Sequence, residues 1–214
     1  MAYDPDNILC KACNVIRKLF NKECESKKRY DQNKADYEKY KNDPNYKNVK
    51  FNSKTGGLMA THKGRKKHKN EKTLLEYSPT QLEDFCQNEI FKMGGSCIIQ
   101  NENTQSPNGQ YASSLDAIIN GELMDIRSVC SKTTKIVNSL TDKQKQLISY
   151  NNDVGGNANA LCLYYHVPEW FNEQNINDAI ISYKKICNAR GEDVIIKIIV
   201  IILRGGLNPI YINI

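Results

Sequence analysis

The sequence predicts an α/β (α+β) fold: a mixed β-sheet on an αβββαβ core, with a long N-terminal helix before it and further strands after it. Three observations predict this. The stretch "SLDAIINGELMDIR" (114–127) sets two apolar runs about Asn120-Gly121, and Asn-Gly is a strong hairpin signal because both residues accept the positive φ of a type I′ turn. The runs "SCIIQ" (96–100), "ALCLYYH" (160–166) and "VIIKIIVIIL" (194–203) are short and mostly apolar, as strands buried on both faces are. Between these runs lie stretches with helical apolar spacing and recognisable caps. With 40% hydrophobic residues in 214, the chain can build a core.

The elements follow in order. Residues 6–41 read as one long helix, opened by Asp4-Pro5 or Asp6 and ended by Asn42-Asp43-Pro44. Its first half is amphipathic through Ile8, Leu9, Val15, Ile16, Leu19 and Phe20. The apolar face fades after Phe20, so the second half is expected to protrude. Tyr30, Tyr37 and Tyr40 remain there as a stripe that suits packing better than stacking on a ligand. Residues 43–57 read as a polar loop. "GLMATHKGRKKHKNEK" (57–72) holds a short strand and then six Lys/Arg in ten residues. Ser78 or Thr80 caps the next helix, with Pro79 in its first turn; Leu82, Phe85, Cys86, Ile90 and Met93 share a face, and Gly94-Gly95 ends it. The strand 96–100, a polar loop 101–112 and the hairpin strands near 113–119 and 122–129 come next. A helix is expected from Ser139 or Thr141 to about Asn151, then the strand 160–166, a helix near 173–189, and strands at 194–203 and 209–214. Trp170 in "HVPEWF" reads as an anchor under a loop. The division implied is a basic helical N-terminal extension, 1–53, and an α/β domain, 54–214.

Charge is unevenly spread. Residues 1–72 carry 19 Lys/Arg against 9 Asp/Glu, and residues 73–214 carry 11 against 15. A basic arm on a mildly acidic globule suggests nucleic acid as partner, although a solvated helix face gives the same pattern. The start "MAYDPDNILCKAC" lacks a basic segment followed by a long apolar run. The run 194–203 is too short to span a bilayer and is broken by Lys197. The expectation is a cytoplasmic protein without membrane contact, its eight Cys reduced and mostly in the core. Cys10-x-x-Cys13 could join Cys24, His62 or His68 on zinc, but no second Cys-x-x-Cys exists and the pair lies inside an amphipathic helix, which favours a structural role.

The hairpin carries the chemistry. With Asn120-Gly121 as its turn, Ile119 faces Glu122, Ala117 faces Met124 and Asp116 faces Asp125, with Cβ atoms roughly 5 Å apart. Like charges so opposed are destabilising, and a cation between them reverses the sign. Arg127 shares their face because the strand period is two. The bland alternative is a pair of solvated strand ends, with Asp125 paired to Arg127 or to a lysine.

An α-β-β-β-α-β order with Asp116 on the second strand, Asp125-Ile126-Arg127 on the third and Glu89 on the preceding helix resembles the restriction-endonuclease-like core of the PD-(D/E)XK nuclease superfamily. Gln146-Leu147-Ile148-Ser149-Tyr150 fits a Gln-x-x-x-Tyr pattern known from some of its branches. The arrangement "TGGLMATHKG…GELMDIRS" looks most like the tRNase toxin domains of contact-dependent growth inhibition systems and related mobile-element proteins of bacteria. The resemblance covers about residues 54–166. It implies a divalent-metal-dependent nuclease acting on DNA or RNA, with Asp116, Asp125 and Glu89 holding Mg²⁺ or Mn²⁺ through hard oxygen ligands, the Ile126 carbonyl as a further ligand, and Asp116, Asp125, Arg127, Gln146 and Tyr150 as the catalytic set. His62, Lys63, Arg65, Lys66, Lys67 and Lys69 are the candidate nucleic-acid contacts. A homodimer through the N-terminal helix and an immunity protein are further partners to be considered. The chain departs from the superfamily at Arg127, where a Lys is usual. Arg effectively never gives up its proton, so it can orient water or clamp a phosphate but cannot be a general base. That task falls to the metal, or to Lys143 or Lys145 from the following helix. The alternative function is a non-catalytic nucleic-acid-binding or regulatory module that keeps the fold.

Overall fold

The computed structural model describes residues 25–66, 75–101, 114–130 and 132–214. Among them, four helices flank one mixed sheet of eight strands whose spatial order follows the chain. The described part of helix α1 covers residues 25–41. It is followed by β1 (Tyr46–Phe51), β2 (Leu58–His62), α2 (Pro79–Lys92), β3 (Ser96–Ile99), β4 (Ala117–Ile119), β5 (Glu122–Ser128), α3 (Thr133–Val154), β6 (Ala160–Tyr165), a 3₁₀ turn (Pro168–Trp170), α4 (Glu173–Ala189), β7 (Ile198–Leu203) and β8 (Ile210–Asn213). The β2/β3, β5/β6 and β6/β7 pairs are parallel, and the other four are antiparallel.

The two faces of the sheet are filled by alternate residues of each strand. Met124 and Ile126 of β5, Cys162 and Tyr164 of β6, and Val200 and Ile202 of β7 pack with Leu82, Cys86 and Ile90 of α2. Leu161, Leu163, Ile199 and Ile201 point the other way and pack under α3 and α4 with Ile136, Leu140, Leu147, Ile176 and Tyr183. Polar groups inside these layers are matched. Gln87 of α2 donates to the carbonyls of Ala60 (2.8 Å) and Cys97 (3.0 Å), bolting the helix to β2 and β3. Gln144 of α3 accepts from the Tyr183 hydroxyl and from Ile195 N–H (3.0 Å). Cys86, Cys97, Cys162 and Cys187 are buried free thiols, in line with a packing role. Cys10, Cys13 and Cys24 lie outside the described residues.

Helix α2 begins where its sequence directs. Ser78 is the N-cap, Gln81 closes a capping box and Pro79 opens the first turn. The hairpin forms in the expected register, with Ala117 opposite Met124 and Ile119 opposite Glu122. Asn120 (φ 51°) and Gly121 (φ 91°) both take the left-handed conformation that a type I′ turn requires.

Three expectations need correction. Residues 46–51 form β1 rather than a loop. Its alternation is masked by Lys47, Asn48 and Lys50, which suit an edge strand, and its pairing with β2 shifts between Lys47 and Lys50, where Asn48 has φ 53°. Helix α3 starts at Thr133, well before Ser139 or Thr141. Those hydroxyls do not cap; they bond back to the carbonyls of Lys135 (2.9 Å) and Val137 (3.1 Å) one turn earlier, as Ser and Thr inside a helix can. The described part of α1 does not protrude. Tyr37 and Tyr40 pack on Leu58, Ala60 and Ile98, Tyr30 meets Phe51 edge-on, and the buried Asn33 donates to the Gly56 carbonyl at 2.8 Å. Gly56 permits the close approach of α1 there, since a Cβ on it would stand 2.7 Å from Tyr30 Cδ2.

Candidate active site

The hairpin β4–β5 carries Asp116 and Asp125 on the sheet face that α3 covers, one step beyond the Ala117–Met124 pair. Both line a cleft of about 640 Å³. Its walls come from the start of α2 (Pro79, Leu82, Glu83), the end of β5 (Arg127, Ser128), α3 (Lys135, Asn138, Lys143, Gln146) and the 3₁₀ turn (Trp170).

Asp125 lies at the floor, 1% exposed. The Lys143 ammonium makes an ion pair with its Oδ2, while its Oδ1 has no hydrogen-bond partner among the described residues. Burial first, and then the negative charge of Asp116, push the Asp125 carboxyl well above the usual carboxylate range; Lys143 opposes that shift without cancelling it. Asp116 is fixed by the backbone, its Oδ2 accepting from Ile126 N–H at 2.8 Å. The result is a buried acid, Asp125, beside a half-buried one, Asp116, the two served by one ammonium, a pattern of charge that a cation would relieve.

Around this pair the expected residues divide. Arg127 is exposed on the same strand face and lines the cleft. Gln146 also lines it: its amide donates to the Ser114 carbonyl (2.7 Å) and its carbonyl accepts from Lys143 Nζ (2.8 Å), so it holds the lysine in place. Tyr150, one turn further along α3, is separated from them. It lines a smaller hollow of about 390 Å³ together with Tyr46 and His62. His62 accepts from Gly64 N–H through Nδ1 (2.9 Å) and meets the Tyr46 ring edge-on.

Glu89 does not join the aspartates. One of its oxygens accepts from Gly205 N–H (2.9 Å) and the other pairs with Lys92 (2.8 Å), so it ties α2 to the turn after β7. The helix carboxylates that do line the cleft are Glu83 of α2 and Asp142 of α3, and Glu83 pairs with Arg65. Arg65 is therefore not an open phosphate contact. It is buried against Glu83 and Asp84 and donates to the Thr80 carbonyl (2.9 Å), docking the segment after β2 onto α2. Lys63 and Lys66 are exposed outside the cleft wall, and Lys67 and Lys69 lie outside the described residues. Among the described residues no group of three or more His, Cys, Asp or Glu is arranged to hold a metal ion. Nor is any helix among them long and apolar enough to cross a membrane.

The chain matches no protein-family model, no curated protein and no solved structure. Its candidate chemistry therefore rests on the geometry of the cleft. Sequence reasoning named Lys143 only as one of two lysines within reach and missed Glu83 altogether. The helical phase set by Ser78 and Pro79 was available, but nothing local marks Glu89 as the partner of a backbone amide 116 residues away.

Proposed function

We propose that this protein is a divalent-metal-dependent nuclease that hydrolyses phosphodiester bonds of DNA or RNA at the Asp116–Asp125 cleft. The observation that carries the reading is the opposed pair of half-buried Asp116 and buried Asp125, with an unpartnered Asp125 oxygen, beside a cleft-facing Lys143 and an exposed Arg127. Opposed aspartates are costly in a sheet, and a binding surface has no use for one of them buried at the floor.

The residues present suit Mg²⁺ or Mn²⁺. Such ions take one or two carboxylates and fill their remaining positions with water and substrate phosphate, so a two-carboxylate site is sufficient without Glu89. Asp116 and Asp125 would hold the ion, which supplies charge relief at the phosphoryl oxygen and lowers the pKa of water. The chain's own groups do the rest. Arg127, at the mouth, clamps the incoming phosphate through its planar fork. Lys143, steadied by Gln146, places a second positive charge beside the acids, where it favours the negative charge that develops in the transition state. Lys143 thus answers the departure at Arg127: the superfamily's usual lysine position holds a phosphate-clamping residue, and the ammonium arrives from α3. The PD-(D/E)XK affiliation, and with it a role as a toxin or mobile-element nuclease with an immunity partner, rests on the sequence resemblance.

The second reading, a nucleic-acid-binding or regulatory module without cleavage, draws on the same Arg127 and on the fact that no three acids among the described residues are arranged around one metal position. Incubating the purified protein with plasmid, single-stranded DNA and total tRNA, each with Mg²⁺, Mn²⁺ or EDTA, separates the two. Products that require metal support the nuclease and identify the substrate; retention of nucleic acid without products supports the binding module.

A further inference from the structure

The chain has a single tryptophan, and it stands at the candidate active site. Trp170 closes the 3₁₀ turn that follows β6, with its N–H on the Val167 carbonyl (3.0 Å). The aromatic residue after it is turned inwards: Phe171 meets Tyr165 edge-on at 5.6 Å. Two neighbouring rings thus have different settings. Phe171 anchors the turn to the core, while Trp170 packs partly on the core and lines the same cleft as Asp116, Asp125 and Arg127. It has no aromatic partner among the described residues.

The shape of the cleft restricts what can reach the acids. Asp125 is 1% exposed at the bottom of a hollow of about 640 Å³. Space of that order suits a nucleotide splayed out of its strand, as in enzymes that draw one nucleotide into a pocket. A partly buried indole in the wall, with an exposed guanidinium beside it, has the composition of single-strand sites, where an aromatic face carries the base and cations track the backbone.

We infer that the cleft receives an unpaired nucleotide of a single-stranded or looped nucleic acid, and that Trp170 is the surface on which its base stacks. The inference rests on the nuclease reading for the position of the scissile phosphate but makes its own prediction about binding. Because Trp170 is the sole tryptophan, intrinsic fluorescence of the full chain reports this site directly. In EDTA, which prevents metal-dependent cleavage, the protein is titrated with oligothymidylate, oligouridylate, an abasic strand of equal length and a blunt duplex. The expected result is quenching by the unpaired bases, with little change for the abasic strand and the duplex; the DNA and RNA arms show which sugar is preferred. In parallel, Trp170→Ala should weaken binding of a labelled single strand by about 5- to 150-fold, the range that a stacked base contributes, and Trp170→Phe should recover most of it. Absent quenching, or equal quenching by the abasic strand or the duplex, overturns the inference. Metal-dependent cleavage by the same preparation would then still stand, so the two readings fail separately.

Discussion

In the proposed nuclease, Arg127 and Lys143 would divide between them the work that one lysine commonly does beside a pair of acids. Arg127 is exposed at the mouth and Lys143 touches Asp125 at the floor, so their replacements should have different consequences. Arg127→Lys keeps a charge but loses the bidentate fork. It should leave reduced, measurable cleavage, and the slope of log affinity against log salt should hardly move. Arg127→Ala should reduce that slope by about 0.7–0.9, the contribution of one phosphate contact. An unchanged slope for Arg127→Ala would show that the guanidinium is merely solvated. If the wild type were inactive and Arg127→Lys active, Arg127 would mark the decay of an older site.

Most elements were legible in the sequence because their signals are local. Asn120-Gly121 dictates a hairpin whatever surrounds it, and the Ser78-Pro79 cap fixes the phase of α2. Elements governed by distant partners were not legible. Strand β1 is polar by composition and becomes a strand by pairing with β2; the packing role expected of Tyr37 and Tyr40 is met, partly buried, against the cluster of Leu58, Ala60 and Ile98. The site shows the same division: the opposed aspartates follow from the turn, whereas Glu89 and Arg65 were misread because Gly205, Glu83 and Asp84 claim them. The α2–β6–β7 junction around Glu89 also sets a pH response. His166, at the end of β6, is buried against Tyr77 and Phe85, with Nε2 3.0 Å from Arg204 and Nδ1 3.2 Å from the Tyr164 hydroxyl. Burial first, and then the Arg204 charge, lower its pKa below the ordinary value of about 6.5. As pH falls through that value the unfolded chain takes up the proton before the folded one does, so stability is present above it and is lost on acidification towards the depressed folded pKa. In denaturant melts over this range, His166→Gln should lose less stability on acidification than the wild type. Parallel curves would show that His166 does not contribute.

At the scale of the whole molecule, the sheet's order gives the cleft its character. Strands succeed one another across the sheet in chain order, so the hairpin β4–β5 falls in the middle, with α2 on one face and α3 on the other, and Asp125, midway along β5, is buried. That burial would be a liability in a protein that had no cation to place there. Asp125→Asn keeps the shape and removes one of the two charges, which makes it the most direct test of the whole account. Without metal, the variant should stay folded, since it loses the repulsion from Asp116 together with the Lys143 ion pair. In the same preparations, Mg²⁺ or Mn²⁺ should support cleavage of nucleic acid by the wild type and none by the variant. Cleavage by the wild type in EDTA that survives Asp125→Asn would contradict the account and leave the opposed aspartates without a function.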